Sequence, residues 1–138
     1  MLKINSLLLK AIKTQAQRDY PYETCGIMIG KEENGARIVQ EIYPVPNINK
    51  DRKADRYEID PRDYMMVEEY ADSKGLQIVG IYHSHPDHPD MASKTDEERA
   101  FENLSYLIVS VQKGEPVSYK SFELLGKKLV QEEVVVEI

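Results

Sequence analysis

Apolar side chains recur at helical spacing in two segments of this chain, residues 5–18 and 61–74. Side chains three and four positions apart lie on one face of a helix, so each segment is predicted to be an amphipathic helix. Polar caps, a proline and a glycine mark where these helices are expected to begin and end: Asn5 or Ser6 for the first, and Asp60, Pro61 and Gly75 for the second.

Short apolar runs between turn residues predict the strands. Asn34-Gly35 is the clearest hairpin signal, since both residues tolerate the positive φ of a two-residue turn, and it predicts that residues 27–30 pair with 36–43. The order of helices and strands predicts a single mixed α/β domain over residues 1–138. The other expected strands are residues 2–4 at a sheet edge, 76–85, 104–111 and 117–124, with a last strand or β-rich tail at 127–137.

The segment 44–56 has no apolar period and many polar residues. It is therefore predicted to be a long, mobile loop, and loops of this length commonly carry function. We expect this loop to become ordered only when a ligand binds.

Composition narrows the class of protein. Hydrophobic residues make up 41% of the chain and charged residues 30%, which is typical of a soluble globular protein. The net charge of −6 argues against a nucleic-acid partner, since that partner requires a basic face. The chain lacks both the ~20-residue apolar run of a membrane span and the features of a signal peptide, so no membrane partner and a cytoplasmic location are expected. A single cysteine excludes a disulfide framework and a cysteine-rich zinc site.

All three histidines fall in one short stretch that follows the strand predicted at 76–85. If this strand continues to His85, then His83 and His85 project to one face, and Ser84 points to the other. Pro86 is expected to end the strand because it has no N–H to donate. Two imidazoles side by side at a strand end form half of a metal site, and neutral imidazole suits Zn, Cu, Fe and Ni.

Asp96 is the best-placed third ligand, in the first turn of a short helix predicted at 95–102. Its other interpretation is a capping box with Ser93, although Thr95 and Glu98 match that pattern better. The paired histidines favour ligation by Asp96. The same loop contains three other possible ligands, whose usual interpretation is as solvated polar side chains: Asp87, His88 and Asp90.

These residues resemble a known family. His-x-His, seven residues, Ser, two residues and Asp is the signature of JAMM-type (MPN-domain) zinc metallopeptidases, and it is matched by His83, His85, Ser93 and Asp96. Bacterial members often place a glutamate before a Cys-Gly pair, as Glu23 is placed here. Asn47 and the Tyr-x-x-Asp-Pro of residues 57–61 also match the pattern of bacterial members. One position departs from it, since Ala92 stands where many members have proline.

The resemblance implies a curved mixed sheet flanked by helices, related to the cytidine-deaminase fold. It implies a Zn²⁺ ion held by His83, His85 and Asp96, with Glu23 as the general base and Ser93 as a donor to the developing oxyanion. Glu23 is nominated by the resemblance alone, because a glutamate before a strand is usually an exposed charge. The implied substrate is a ubiquitin-like sulfur-carrier protein, cut after its C-terminal Gly-Gly, and the loop 44–56 is expected to clamp that tail.

Two alternatives stay open at this point. Two histidines and one carboxylate are also the ligand set of non-haem iron oxygenases, although that chemistry requires neither Glu23 nor Ser93. A non-catalytic MPN scaffold that only binds a ubiquitin-like partner is the other alternative. Such scaffolds generally lose ligands, whereas the whole set is present here.

Overall fold

The computed structural model describes residues 1–138 and shows one large sheet with three helices. In chain order the elements are β1 (Leu2–Asn5), α1 (Ser6–Asp19), β2 (Cys25–Glu33), β3 (Ala36–Val45), α2 (Pro61–Ser73), β4 (Gln77–Pro86), α3 (Lys94–Arg99), β5 (Ser105–Gln112), β6 (Glu115–Leu125), β7 (Lys128–Glu132) and β8 (Val134–Glu137).

The eight strands follow the spatial order β7-β6-β5-β4-β2-β3-β1-β8. Strand β4 runs parallel to β5, and β1 runs parallel to both of its neighbours, whereas the other pairs are antiparallel. The sheet must curl, because β7 and β8 lie at opposite edges and only Glu133 separates them in the chain. Arg37 of β3 reaches across the curl to Ser105 Oγ at 3.3 Å and to the carboxylates of Glu123 and Glu132 at 3.6 and 3.7 Å. The prediction of a curved mixed sheet flanked by helices is confirmed.

Two strand predictions need correction. Strand β1 is not an edge strand, because β3 and β8 pair with its two sides. The segment 127–137 is not one strand but two, β7 and β8, which lie at opposite edges of the sheet. Both errors have one cause, since a run of apolar residues indicates an extended strand but not the strand with which it pairs.

The helices lie on opposite faces of the sheet and divide the core in two. Helix α1 covers one face, and α2 covers the other. The core under α1 is built mainly from aliphatic side chains: Leu2, Ile4, Leu9, Ile12, Ala16, Met28, Val39, Val79, Tyr82, Leu107, Val109 and Val111. The core under α2 contains Cys25, Ile27, Ile29, Val45, Val67, Ala71, Ile78, Ile81, Leu104, Tyr106, Ile108, Phe122 and Leu129.

The helix caps and the hairpin turn agree with the sequence. The Asn5 side chain accepts a hydrogen bond from Leu8 N at 2.8 Å, and Asp60 caps α2 ahead of Pro61. Asn34 and Gly35 have φ values of 51° and 80°, as their two-residue turn requires. None of the helices is both long enough and apolar enough to span a membrane.

Candidate metal centre

Strand β4 carries two histidines to the face covered by α2. The strand runs to Pro86, where it ends as predicted. A bulge opposite Met28 and Ile29 shifts its alternation, so that Ile81 joins the core under α2 and Tyr82 joins the core under α1. Continuing this alternation places His83 and His85 together on the α2 face and Ser84 on the α1 face.

Three candidate ligand residues converge at this strand end, and Asp96 faces the two imidazoles with its two different carboxylate oxygens. His83 Nε2 lies 3.2 Å from His85 Nε2 and 3.4 Å from Asp96 Oδ1, and His85 Nε2 lies 3.2 Å from Asp96 Oδ2. Atoms bound to a tetrahedral zinc ion at ~2.1 Å lie ~3.4 Å from one another. The triangle of His83, His85 and Asp96 therefore fits one face of a tetrahedral metal site and leaves the fourth position to another group.

The protonation states of these side chains suit a metal. Burial lowers the pKa of His83, which favours the neutral imidazole that a metal requires. Burial alone would raise the pKa of Asp96, but the close contacts of its carboxylate with the His83 and His85 rings and with Ser93 N outweigh burial and hold that pKa below its usual value. His85 Nδ1 lies 2.8 Å from the Pro89 carbonyl oxygen, so the ring donates there and turns its free Nε2 toward the site.

Helix α3 delivers Asp96 through its first turn. Ser93 is the N-cap, and its Oγ accepts a hydrogen bond from Asp96 N at 3.0 Å. Asp96 Oδ2 accepts in return from Ser93 N at 2.9 Å, which completes a capping box. The Asp96 carboxylate thus completes the helix cap and also faces the two histidines. The expectation that Thr95 is the better N-cap is wrong, because Ser93 is the N-cap. The helix also ends earlier than predicted, at Arg99.

Ser93 is exposed beside Asp96. Its oxygen is occupied as the helix cap, but a hydroxyl keeps a proton that it can donate. The cap and a donor role toward a substrate are therefore compatible.

Glu23 lies across the strand pair from His85. The pairing of β2 with β4 extends one residue before Cys25, the first residue of β2. There Ser84 N donates to Thr24 O at 3.2 Å, and Thr24 N donates to Ser84 Oγ at 2.8 Å. The next position places Glu23 opposite His85, on the same face of the sheet. The glutamate nominated by the family motif therefore lies beside the candidate ligands.

The Glu23 side chain is buried without a polar partner. It is only 5% exposed, and its Oε1 makes no hydrogen bond. Burial, together with the negative charges of Asp96 and Asp55, raises the pKa of Glu23 to about 9. Raised pKa values of this kind are typical of carboxyl groups that exchange protons in catalysis.

The loop after β3 fixes the backbone of Glu23. Glu23 N donates to Lys53 O at 2.7 Å, and Asn47 Nδ2 donates to Glu23 O at 3.2 Å. Asn47 Oδ1 also accepts from the backbone of Asn49 and Glu58, each at 3.1 Å. This loop begins after Val45, and these hydrogen bonds anchor it to the backbone of Glu23.

Steric contact explains why a glycine follows Cys25 in the Glu-Thr-Cys-Gly stretch. The Tyr82 ring lies over Gly26, where any Cβ would collide with it. Tyr82 in turn donates its hydroxyl proton to Gln15 of α1 at 2.6 Å. Cys25 itself is buried, and burial raises the pKa of its thiol to about 12, so it is a packing residue rather than a nucleophile.

The rival ligands do not join the cluster. Asp87 accepts hydrogen bonds from the Tyr20 hydroxyl at 2.6 Å and from Lys113 N at 2.8 Å. Asp90 is paired with Lys120 at 2.9 Å, and His88 is exposed. The group of side chains that could hold a metal ion consists of the three residues expected from the sequence, His83, His85 and Asp96.

Tyr57 is the residue of this site that sequence reasoning missed. Its ring stacks on the His83 imidazole with a centroid distance of 4.4 Å and an interplanar angle of 25°. The Tyr-x-x-Asp-Pro pattern was the available signal, but it indicated only a family likeness and a helix start. A stacking partner so far along the chain has no local sequence pattern.

Two curated relatives cover most of this chain. A protein named desampylase from Haloferax volcanii is 36% identical over 104 residues, which are 75% of this chain and 73% of that protein. A protein named CysO-cysteine peptidase from Mycobacterium tuberculosis is 27% identical over 135 residues, which are 97% of this chain and 90% of that protein.

The fold is also that of a solved structure. A JAB1/MPN domain protein from Archaeoglobus fulgidus superimposes with a TM-score of 0.65 at 21% identity, over 99% of both chains. This likeness confirms the expected MPN fold. The family model described as prokaryotic homologs of the JAB domain matches residues 6–124. This range includes all the candidate site residues: Glu23, His83, His85, Ser93 and Asp96. The chain therefore belongs to the family of prokaryotic JAB-domain homologues.

Proposed function

We propose that this chain is a zinc-dependent peptidase that cleaves the amide bond after the C-terminal Gly-Gly of a ubiquitin-like sulfur-carrier protein. The triangle of His83, His85 and Asp96 beside the buried, unpaired carboxyl group of Glu23 is the observation that carries this proposal. Three protein ligands with an open position are the pattern of catalytic rather than structural zinc.

The protein groups divide the work of amide hydrolysis. His83, His85 and Asp96 would hold the metal, which when bound would act as a Lewis acid and make water more acidic. The positive charge of a bound metal would lower the pKa of the nearby Glu23, which would then accept a proton from the attacking water as a carboxylate and pass it to the leaving amine. Ser93 Oγ–H donates to the substrate oxygen on which negative charge develops.

The substrate class is supported by the relatives and by the family resemblance. The relative from Mycobacterium tuberculosis is named for its action on CysO-cysteine. A diglycine tail reaches a recessed metal in extended form because glycine has no side chain to clash. The loop at 44–56, anchored to Glu23 through Asn47 and Lys53, is suited to pair with such a tail as an added strand.

Mass spectrometry of carrier proteins tests the proposal. Carriers that end in Gly-Gly plus one further residue are incubated with the wild-type protein, with a chelator-treated sample, and with reloaded protein. We expect loss of the extra residue only in the samples that hold metal. A carrier that binds tightly but stays intact would instead identify a scaffold.

The purified protein is expected to contain about one zinc ion per chain, because three ligands with an open position define a single catalytic site. Elemental analysis of protein prepared without added metal measures this directly. Tightly bound iron together with oxygen-dependent turnover would replace the peptidase with the oxygenase alternative.

Ser93→Ala is expected to lower turnover by roughly 100- to 1,000-fold, the usual effect of losing one oxyanion donor, while zinc stays bound. Loss of the helix cap costs only about 1 kcal/mol of stability. Ser93→Thr, which keeps a hydroxyl and a capping oxygen, is the matched control. Equal turnover in wild type and Ser93→Ala would restrict Ser93 to its capping role.

A further inference from the structure

The two histidines of the site are held in different ways. The His85 ring is oriented by its hydrogen bond to the Pro89 carbonyl group, at 2.8 Å. His83 Nδ1 is buried and has no hydrogen-bond partner. No polar contact beyond the ligand cluster therefore fixes the rotation of the His83 ring, although ring nitrogens of metal ligands are usually fixed in that way.

An aromatic contact takes the place of the missing hydrogen bond. The Tyr57 ring stacks on His83 at 4.4 Å and is nearly parallel to it. Tyr57 is itself tethered, because Arg99 Nη1 donates to the Tyr57 carbonyl oxygen at 3.0 Å. Arg99 ends helix α3, whose first turn carries Asp96. The contacts thus lead from Asp96, through α3, Arg99 and Tyr57, to His83.

We infer that Tyr57 is a positioning residue for metal binding, which holds the His83 ring by stacking, and that Arg99 fixes Tyr57 relative to the helix of Asp96. This inference rests on the metal site of the proposed function. The aromatic ring, and not the hydroxyl group, performs this role, since no hydrogen bond of the hydroxyl contributes to the contact.

Metal affinity of four variants tests the inference, measured for Zn²⁺ and Co²⁺ by competition with a chelator. Tyr57→Leu is expected to bind both ions roughly 3- to 10-fold more weakly, the range for loss of an aromatic pair. Tyr57→Phe keeps the ring and should bind as wild type does. Arg99→Gln should weaken binding less than Tyr57→Leu. Tyr64→Leu is the matched control, because Tyr64 lines the same cavity of about 980 Å³ without stacking on His83.

Wild-type affinity in a folded Tyr57→Leu protein would overturn the inference, as would equal losses in Tyr57→Leu and Tyr64→Leu. If Tyr57→Leu does not fold, NMR of the metal-free wild-type protein decides. The carbon-bound ring protons of His83 should be shifted upfield by the Tyr57 ring current, and unshifted protons would overturn the stacking. A protein that binds metal but cleaves no carrier would refute the peptidase and leave this role of Tyr57 in place.

Discussion

Glu23→Gln is expected to bind zinc as tightly as wild type and to lose turnover by roughly 100- to 10,000-fold, the usual contribution of a general base. The amide has nearly the same shape as the carboxyl group but cannot accept the proton of the attacking water. Glu23 is not one of the three convergent ligands, so the metal should remain. Zinc content and carrier cleavage, measured on the same preparation, separate the two effects.

Glu33→Gln is the control for Glu23→Gln, because it makes the same chemical change at the exposed last residue of β2. It should cleave carriers at the wild-type rate. Full activity in Glu23→Gln would remove Glu23 from the mechanism, and loss of zinc would make it a ligand instead.

The raised pKa of Glu23 also predicts how the stability of the metal-free protein changes with pH. Because the folded-state pKa of Glu23 is raised to about 9, its stabilising effect is complete below its unfolded value and is lost as pH rises toward 9. The wild-type protein in chelator should therefore lose unfolding free energy between about pH 5 and 9 relative to Glu23→Gln, on the order of 3 kcal/mol by pH 7. Urea unfolding of both proteins across this range measures the difference. A difference that does not change with pH would show that Glu23 ionises freely.

Asp96→Asn should abolish both metal binding and turnover. A neutral amide is a poor ligand, and even residues that only orient a ligand cost ~10- to 100-fold in affinity when replaced, so the loss should exceed 100-fold. The asparagine oxygen can still accept from Ser93 N, which keeps the capping box. Circular dichroism should therefore show an intact fold, and a chelator competition assay should show the lost affinity.

His88→Gln is the comparison for Asp96→Asn, since it removes the remaining histidine of the same stretch, which is exposed. It should keep its zinc. A fall in metal affinity in His88→Gln would bring that histidine back as a ligand, and wild-type affinity in Asp96→Asn would exclude Asp96.

Local features of this chain were predictable where one interaction determines them. The caps at Asn5 and Asp60, the Asn34-Gly35 turn and the common face of His83 and His85 each depend on neighbouring residues only. The interior place of β1 and the split of 127–137 into two strands depend on pairing between distant strands, and neither was predicted. Such pairings leave no local period in the sequence.

The candidate site also combines features that a local motif predicts with features that depend on distant parts of the chain. The ligand spacing and Ser93 follow from the motif, whereas the burial of Glu23 depends on how the loop after β3 folds over it. Tyr57 contacts His83 from a distant part of the chain, and an aromatic residue before a helix is no signal of that contact.

The pairing of β1 with β8 has a consequence for how the molecule folds. Leu2 lies opposite Val134, so the outer side of β1 acquires its partner only from the last part of the chain. Pairing over so long a separation is slow, because the closure entropy must be overcome first. Strand β4, which carries the two histidines, can pair with its neighbours earlier, while the first strand keeps an open edge that is prone to intermolecular pairing. A protein that lacks β8 should consequently aggregate during refolding, even though every residue of its metal centre is present.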